Sequence, residues 1–263
     1  MKKTLQIANA IALIITLAIN YLSNTGVLNG NTMKTISDKY HNYFTPAGYA
    51  FSIWGLIYLG MIAFVVYTGR SFFKNPNDHN SENEVVLKIG WWFVISCMAN
   101  SLWVVFWLYD FIGLSVILMV ILLFSLLKIV TNARMELDFH PFKKYLFIFW
   151  PFAIYTGWIT VALVADIAAW LTKINWNGWG ISEISWTIIM ILIAGVINVL
   201  MVWKRNLREF GLAGIWALIA ISVANKNELQ SIVYACYTAA AIILISIIMN
   251  TLKNRKGRSA NAM

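Results

Sequence analysis

The chain has 263 residues, 60% of them hydrophobic and only 12% charged, with a mean hydropathy of +0.70 and a formal net charge of +9. A water-soluble core cannot hide that much apolar surface, so the composition excludes a soluble enzyme or binding domain and requires lipid as solvent. The positive charge reports topology, not nucleic-acid binding, because the basic residues collect in the connections on one side.

Eight apolar stretches follow one another, at 5–23, 46–68, 88–109, 111–131, 145–171, 184–203, 210–225 and 231–252. Most reach the roughly 20 residues that a helix needs to cross about 30 Å of hydrocarbon. None alternates apolar with polar residues as a barrel strand would. The first stretch follows Lys2 and Lys3 as a signal peptide does. It runs on to about Leu22 with no small-x-small site after it, and reads as a retained helix.

Residues 24–45, NTGVLNGNTMKTISDKYHNYFT, form a polar outer loop, either a lid over a cavity or a solvated connector. Residues 69–87, with KNPNDHNSENE at their centre, read as a polar, mobile inner loop. The seventh stretch is short enough to be re-entrant or strongly buried. Ala213, Ala217, Ala220 and Ala224 recur there at i, i+4, i+7 and i+11, a small-residue stripe that lets helices approach closely. Trp216 and Ser222 lie off that stripe and carry no separate signal. The last three stretches read as their own packing unit.

With the N-terminus in the cytoplasm, 16 Lys and Arg fall on the inner side, from Lys2 and Lys3 to Arg258, and four on the outer side, Lys34, Lys39, Lys173 and Lys226. This is the positive-inside asymmetry of eight crossings with both termini cytoplasmic. The expected fold is an all-α integral membrane protein of about eight spans. The KNRKGR tail is placed to touch anionic headgroups.

Cys97 and Cys236 fall inside predicted spans and read as small packing residues. His41, His79 and His140 lie in loops without metal-ligand spacing. No phosphate loop, nucleophile motif or catalytic constellation is visible, which argues against an enzyme.

Most of the thirteen tryptophans belong to the interfacial belts. Trp91, Trp92, Trp150 and Trp203 sit at inner ends, and Trp107, Trp170, Trp176, Trp179 and Trp186 at or beside outer ends. Trp54, Trp103 and Trp158 fall inside spans, where each indole N–H needs a partner. Asn100, Trp103 and Trp107 share one helix face. Tyr155, Trp158, Ala162 and Asp166 share another, and Phe51, Trp54 and Tyr58 a third. At ~1.5 Å per residue, Trp54, Trp103 and Ala162 lie about 8–14 Å below the outer boundary and Trp158 about 20 Å. The three faces can therefore meet under the 24–45 loop, as an aromatic pocket or as a ligand-free helix contact. Asp166 is the one carboxylate well inside the spans. It reads as protonated, or as hydrogen-bonded to a neighbouring tyrosine or tryptophan.

Three segments in order resemble the tryptophan-rich sensory protein, or translocator protein, family (TspO/MBR, the peripheral benzodiazepine receptor family). FTPAGYAFSIWGLIY resembles its PPxWVFxxVWxxLY segment, ANSLWVVFW its LNxxWxxxFF segment, and YTGWITVALVAD its PYxxWxxFAxxLN segment. Ala47 replaces the second proline, and Asp166 stands where the family usually has Asn. The resemblance covers about 1–171 and implies a five-helix TspO-like bundle. That leaves 172–253 as three additional transmembrane helices and 254–263 as a basic cytoplasmic tail. It implies a multi-pass protein of a bacterial-type plasma (inner) membrane, with lipid around it and in some members a homodimer partner. The implied ligand is a tetrapyrrole such as protoporphyrin IX or another flat hydrophobic molecule, with no resident cofactor. Carried over by motif position, the ligand-binding residues are Trp54, Asn100, Trp103, Tyr155, Trp158 and Ala162, with Asp166 beside them. The expected function is a membrane sensor or receptor; the alternative is a secondary transporter.

Overall fold

The computed structural model describes residues 1–72, 81–137 and 140–260, and every regular element among them is helical. His79 and the centre of the inner loop lie outside the described residues. The helices are α1 (Lys2–Leu22), α2 (Met33–Lys39), α3 (Ile53–Gly69), α4 (Ser81–Ile89), α5 (Trp92–Leu108), α6 (Ile112–Asn132), the single turn α7 (Phe142–Lys144), α8 (Trp150–Lys173), α9 (Glu183–Arg205), α10 (Arg208–Ala224) and α11 (Gln230–Ala260). Among the described residues, six segments are long and apolar enough to cross a membrane. They are Lys2–Leu22, Gly48–Phe72, Ile112–Asn132, Phe142–Lys173, Glu183–Arg205 and Gln230–Asn254, with Trp92–Leu108 shorter.

Helix α1 shows how lipid inverts the usual pattern. Gln6, Asn9, Leu13, Thr16 and Asn20 recur on one buried face, while Ile7, Ile11, Ile14 and Ile15 point outward. A polar group inside the bilayer must find a protein partner, so the polar face turns to the bundle. The Gln6 amide nitrogen donates to Thr68 O (2.7 Å) and Ser71 Oγ (2.8 Å). The Thr16 hydroxyl lies 3.1 Å from both Cys97 O and Ser101 Oγ.

Two prolines shape the site helices. Pro46 precedes a tight turn, Gly48–Ser52, so α3 begins at Ile53 and Trp54 sits in its first turn, not well inside a continuous helix. Pro151 removes a backbone donor and crowds the carbonyl four residues earlier. The preceding turn, Tyr145–Phe149, is widened to π-helical hydrogen bonding, and α8 proper starts at Trp150.

Helices α5, α6, α8 and α10 pack in succession, α11 joins α10 to α9, and α1 and α3 close the other side. Helices α8 and α10 approach closely. A Cβ on Gly157 would lie 2.5 Å from Phe210 O, so only glycine allows that approach. On the other flank of α10, the Asn198 amide rests directly on Gly214. Ala213, Ala217 and Ala220 are buried in these contacts, as the small-residue stripe implies, whereas Ala224 is only partly covered. Trp216, which the sequence left without a role, donates its indole N–H to Ala50 O at 3.2 Å. The Ala47 N–H donates to Ala220 O at 3.0 Å, and Asn225 Nδ2 to Tyr43 O at 2.9 Å. Helix α10 thus holds the chain where it descends into α3. Cys97 and Cys236 are both buried free thiols.

Candidate functional site

Trp54, Trp103 and Trp158 arrive from α3, α5 and α8 and meet inside the bundle beneath the 24–45 loop. Trp54 is the centre. Its ring stacks on Tyr58 (5.4 Å between centroids, 23° between planes) and Trp103 (5.8 Å, 29°). It meets Tyr155 (5.8 Å, 73°) and Trp158 (6.5 Å, 85°) edge-on. Such offset and edge-to-face geometries suit the ring quadrupoles.

Beside this cluster lies a cavity lined by Trp54, Trp103, Trp158, Ala162 and Asp166. Its lining is overwhelmingly apolar. The space open to water-sized atoms is about 60 Å³, small beside the ~300 Å³ at which ligand pockets usually begin. Three polar atoms are nevertheless left over. Trp103 Nε1, Trp158 Nε1 and the Tyr58 hydroxyl are buried with no hydrogen-bond partner. Trp103 and Asp166 share the cavity wall, but the indole N–H makes no hydrogen bond to the carboxyl. Unpaired buried donors are rare and costly in folded proteins.

Asp166 is 3% exposed, on the cavity wall. Its partner is neither a tyrosine nor a tryptophan. The hydroxyl of Ser115, on α6, lies 3.0 Å and 3.2 Å from its two oxygens. Among the described residues no Lys, Arg or His stands within ion-pair distance of it.

The other two candidates stand behind the aromatic wall. Asn20 Nδ2 donates to Asn100 Oδ1 (2.8 Å), and Asn100 Nδ2 donates to the Tyr155 hydroxyl (3.0 Å). Asn100 is fully buried and committed at both ends, so it ties α1, α5 and α8 together and does not line the cavity. Tyr155 reaches the site only through its ring against Trp54. Asn20 escaped the sequence reading, although its spacing from Thr16, Asn9 and Gln6 on one face of an apolar helix was a usable signal.

Residues outside the candidate set also form walls. Ala217 and Ile221 of α10 line the cavity, and so does Trp107, which the sequence assigned to the belt. The roof is the 24–45 loop, through Met33, Tyr40 and Phe44. Trp107 Nε1 donates to Met33 O at 3.3 Å, and Asn29 and Asn31 both donate to Leu108 O at 3.1 Å. At the α5–α6 turn, Asp110 gathers Lys39 (2.7 Å), Lys173 (3.1 Å) and the Tyr40 hydroxyl (2.8 Å). Partial burial pushes the Asp110 carboxyl up, but the bonds from Lys39, Tyr40 and Lys173 together outweigh it and hold the group below its ordinary range. These bonds fasten the loop over the cavity.

The sequence matches the family model for TSPO-like proteins over residues 6–249. The chain belongs to that family. The match continues through α9, α10 and α11, which the sequence reading had set apart as additional helices. This agrees with α10 forming a wall of the cavity. Searches of curated proteins and of solved structures returned no match. This TSPO-like protein is thus a multi-pass helical membrane protein with a buried, tryptophan-rich aromatic cluster.

Proposed function

We propose that this TSPO-like protein is a membrane receptor or sensor, not an enzyme, for a flat, largely apolar ligand of the tetrapyrrole class. The observation that carries the reading is the cavity between Trp54, Trp103 and Trp158, with two indole N–H groups of its lining residues unpaired and the hydroxyl of Tyr58, which stacks on Trp54, unpaired as well. Indole faces would stack on the macrocycle. The unpaired donors would meet its polar edge groups, replacing a cost with a bond. A ligand of this size needs more space than the closed site holds. Binding therefore requires Trp54, a half-buried ring at the first turn of α3, to swing aside as the lid lifts.

The topology that goes with this reading has eight crossings and both termini cytoplasmic, in a bacterial-type plasma membrane. Helices α5 and α10 are 17 residues each and cross only with help from neighbours. A second reading, secondary transport, is favoured by one observation: a buried acid, Asp166, faces the cavity without a basic partner.

Titration of the detergent-purified protein with protoporphyrin IX, followed by tryptophan fluorescence, tests the proposal. Saturable quenching that weakens in Trp54, Trp103 or Trp158 variants supports a receptor site. Quenching that is linear in ligand, or indifferent to all three variants, rejects it. Ligand flux into proteoliposomes driven by a pH gradient would move the assignment to transport.

A further inference from the structure

A second cavity opens on the outer side between the 24–45 lid and the 174–182 turn. It has about 390 Å³ open to water-sized atoms, within the usual range for small-molecule sites. We propose that it binds a small organic cation of the trimethylammonium class, held by the Glu183 carboxylate and the indoles of Trp176 and Trp186.

The polar groups in its lining decide the sign of the ligand. Asn42, the Asn177 side-chain oxygen, Thr172 and Thr187 are spent on nearby backbone groups. The Glu183 carboxylate, in the first turn of α9, has no hydrogen bond or ion pair among the described residues. Lys173, at the end of α8, is committed to Asp110. Glu183 is thus the one carboxylate in the lining, which also includes the His41 imidazole.

The aromatic side of the cavity is built with unusual backbone. Gly178, Trp179 and Gly180 have φ of 67°, 53° and 79° in succession. Two glycines take that region freely, but for tryptophan it is strained. The turn gathers Trp176, Trp179 and Trp186 with centroids 5.3–6.0 Å apart and planes 52–80° apart. Trp186 Nε1 donates to Gly178 O at 2.8 Å, which fixes that ring and leaves it no donor for an anion. Indole faces beside a carboxylate are the setting that attracts a weakly hydrated cation. Interfacial anchoring accounts for Trp179, which is 77% exposed, but not for a cavity lined by Trp176, Trp186 and the exposed Glu183 carboxylate together. The proposal does not rest on the reading of the aromatic site.

Choline and its neutral isostere 3,3-dimethylbutanol, titrated calorimetrically into the purified full chain, test it. Choline should bind saturably and roughly tenfold more tightly than the alcohol, the scale of a cation–π contact plus one partly screened charge. Glu183→Gln and Trp176→Leu should each weaken choline several-fold and leave protoporphyrin quenching unchanged, and Trp176→Phe should restore most of the affinity. Equal affinity for the two probes, or no saturable choline binding, overturns the proposal. Nanodiscs separate the two sources of the group. Competition from phosphatidylcholine, absent in phosphatidylglycerol discs, assigns the site to a lipid headgroup; equal choline affinity in both assigns it to a free solute.

Discussion

Helices α3, α5 and α8 bring aromatic side chains together twice, and the two meetings differ. At the N-terminal end of α5 and α8, Phe64, Phe93 and Phe152 contact one another at 4.9–5.9 Å, each at most 1% exposed. Nearer the 24–45 loop, the same three helices supply Trp54, Trp103 and Trp158, at 5.8–6.5 Å around Trp54, with a cavity beside them and unpaired N–H groups. Phenylalanine has no polar edge to satisfy, so its cluster can close completely. Tryptophan carries a donor that lipid cannot satisfy. One cluster is a floor; the other has chemistry left over.

The contrast is broken most forcefully from below. Phe152→Ala should cost about 3–5 kcal/mol of stability, the usual cost of truncating a fully buried aromatic ring. Thermal unfolding in detergent reads this directly. Protoporphyrin affinity per folded molecule should change little. A drop in affinity without a loss of stability would mean that the floor is part of the ligand site.

Trp158→Phe should do the reverse. It removes a buried donor without a partner, so stability should move by less than about 1 kcal/mol. Affinity should fall by about five- to tenfold, the worth of one hydrogen bond to ligand. Fluorescence titration alongside calorimetric unfolding separates the two effects. A variant as destabilised as Phe152→Ala would erase the distinction between the clusters.

The lid offers a smaller handle. Bonds from Lys39, Tyr40 and Lys173 hold the Asp110 carboxyl below its ordinary 3.8, so their stabilisation is present above that value. It drains as pH falls through the lower folded value, that is, below about pH 4. The pair is partly exposed, so solvent screening keeps the effect under ~1 kcal/mol. Amide exchange across 33–45 should accelerate on acidification in the native chain. In Asp110→Asn it should already be fast at neutral pH and lose that acid dependence.

Much of this was legible in the sequence. Six of the eight apolar stretches correspond to segments long and apolar enough to cross a membrane, because a lipid-facing helix has to announce itself in composition; 88–109 and 210–225 correspond to the shorter α5 and α10. The Trp103 and Trp158 faces were legible because 3.6-residue periodicity fixes which side chains share a side. Periodicity does not say which neighbour that side meets. Asn100 shares a face with Trp103, yet it turns behind the wall because Asn20 of α1 waits there with a donor. The alanine stripe of α10 announced close packing but not that the packing would place Ala217 and Ile221 on the ligand side, or that Trp216 would hold Ala50. Azimuth and partner are tertiary facts, and one helix at a time does not contain them.

The smallest expected effect decides between receptor and transporter. Asp166 lines the cavity and shares its oxygens with Ser115 Oγ. An amide at the same place keeps one acceptor and offers a donor that the Ser115 oxygen can take, at nearly the same volume. If the site is a stacking pocket whose affinity comes from indole faces and N–H groups, Asp166→Asn should shift protoporphyrin affinity by less than about twofold, under ~0.4 kcal/mol. If the acid instead couples a proton to movement, binding to the purified protein could survive while flux driven by a pH gradient disappears. Measuring both on one variant therefore resolves the question that the wild-type protein leaves joined. Intact quenching with no gradient-driven flux in either protein leaves a receptor. Flux present in the native chain and lost in Asp166→Asn makes the outer aromatic cluster the substrate site of a transporter.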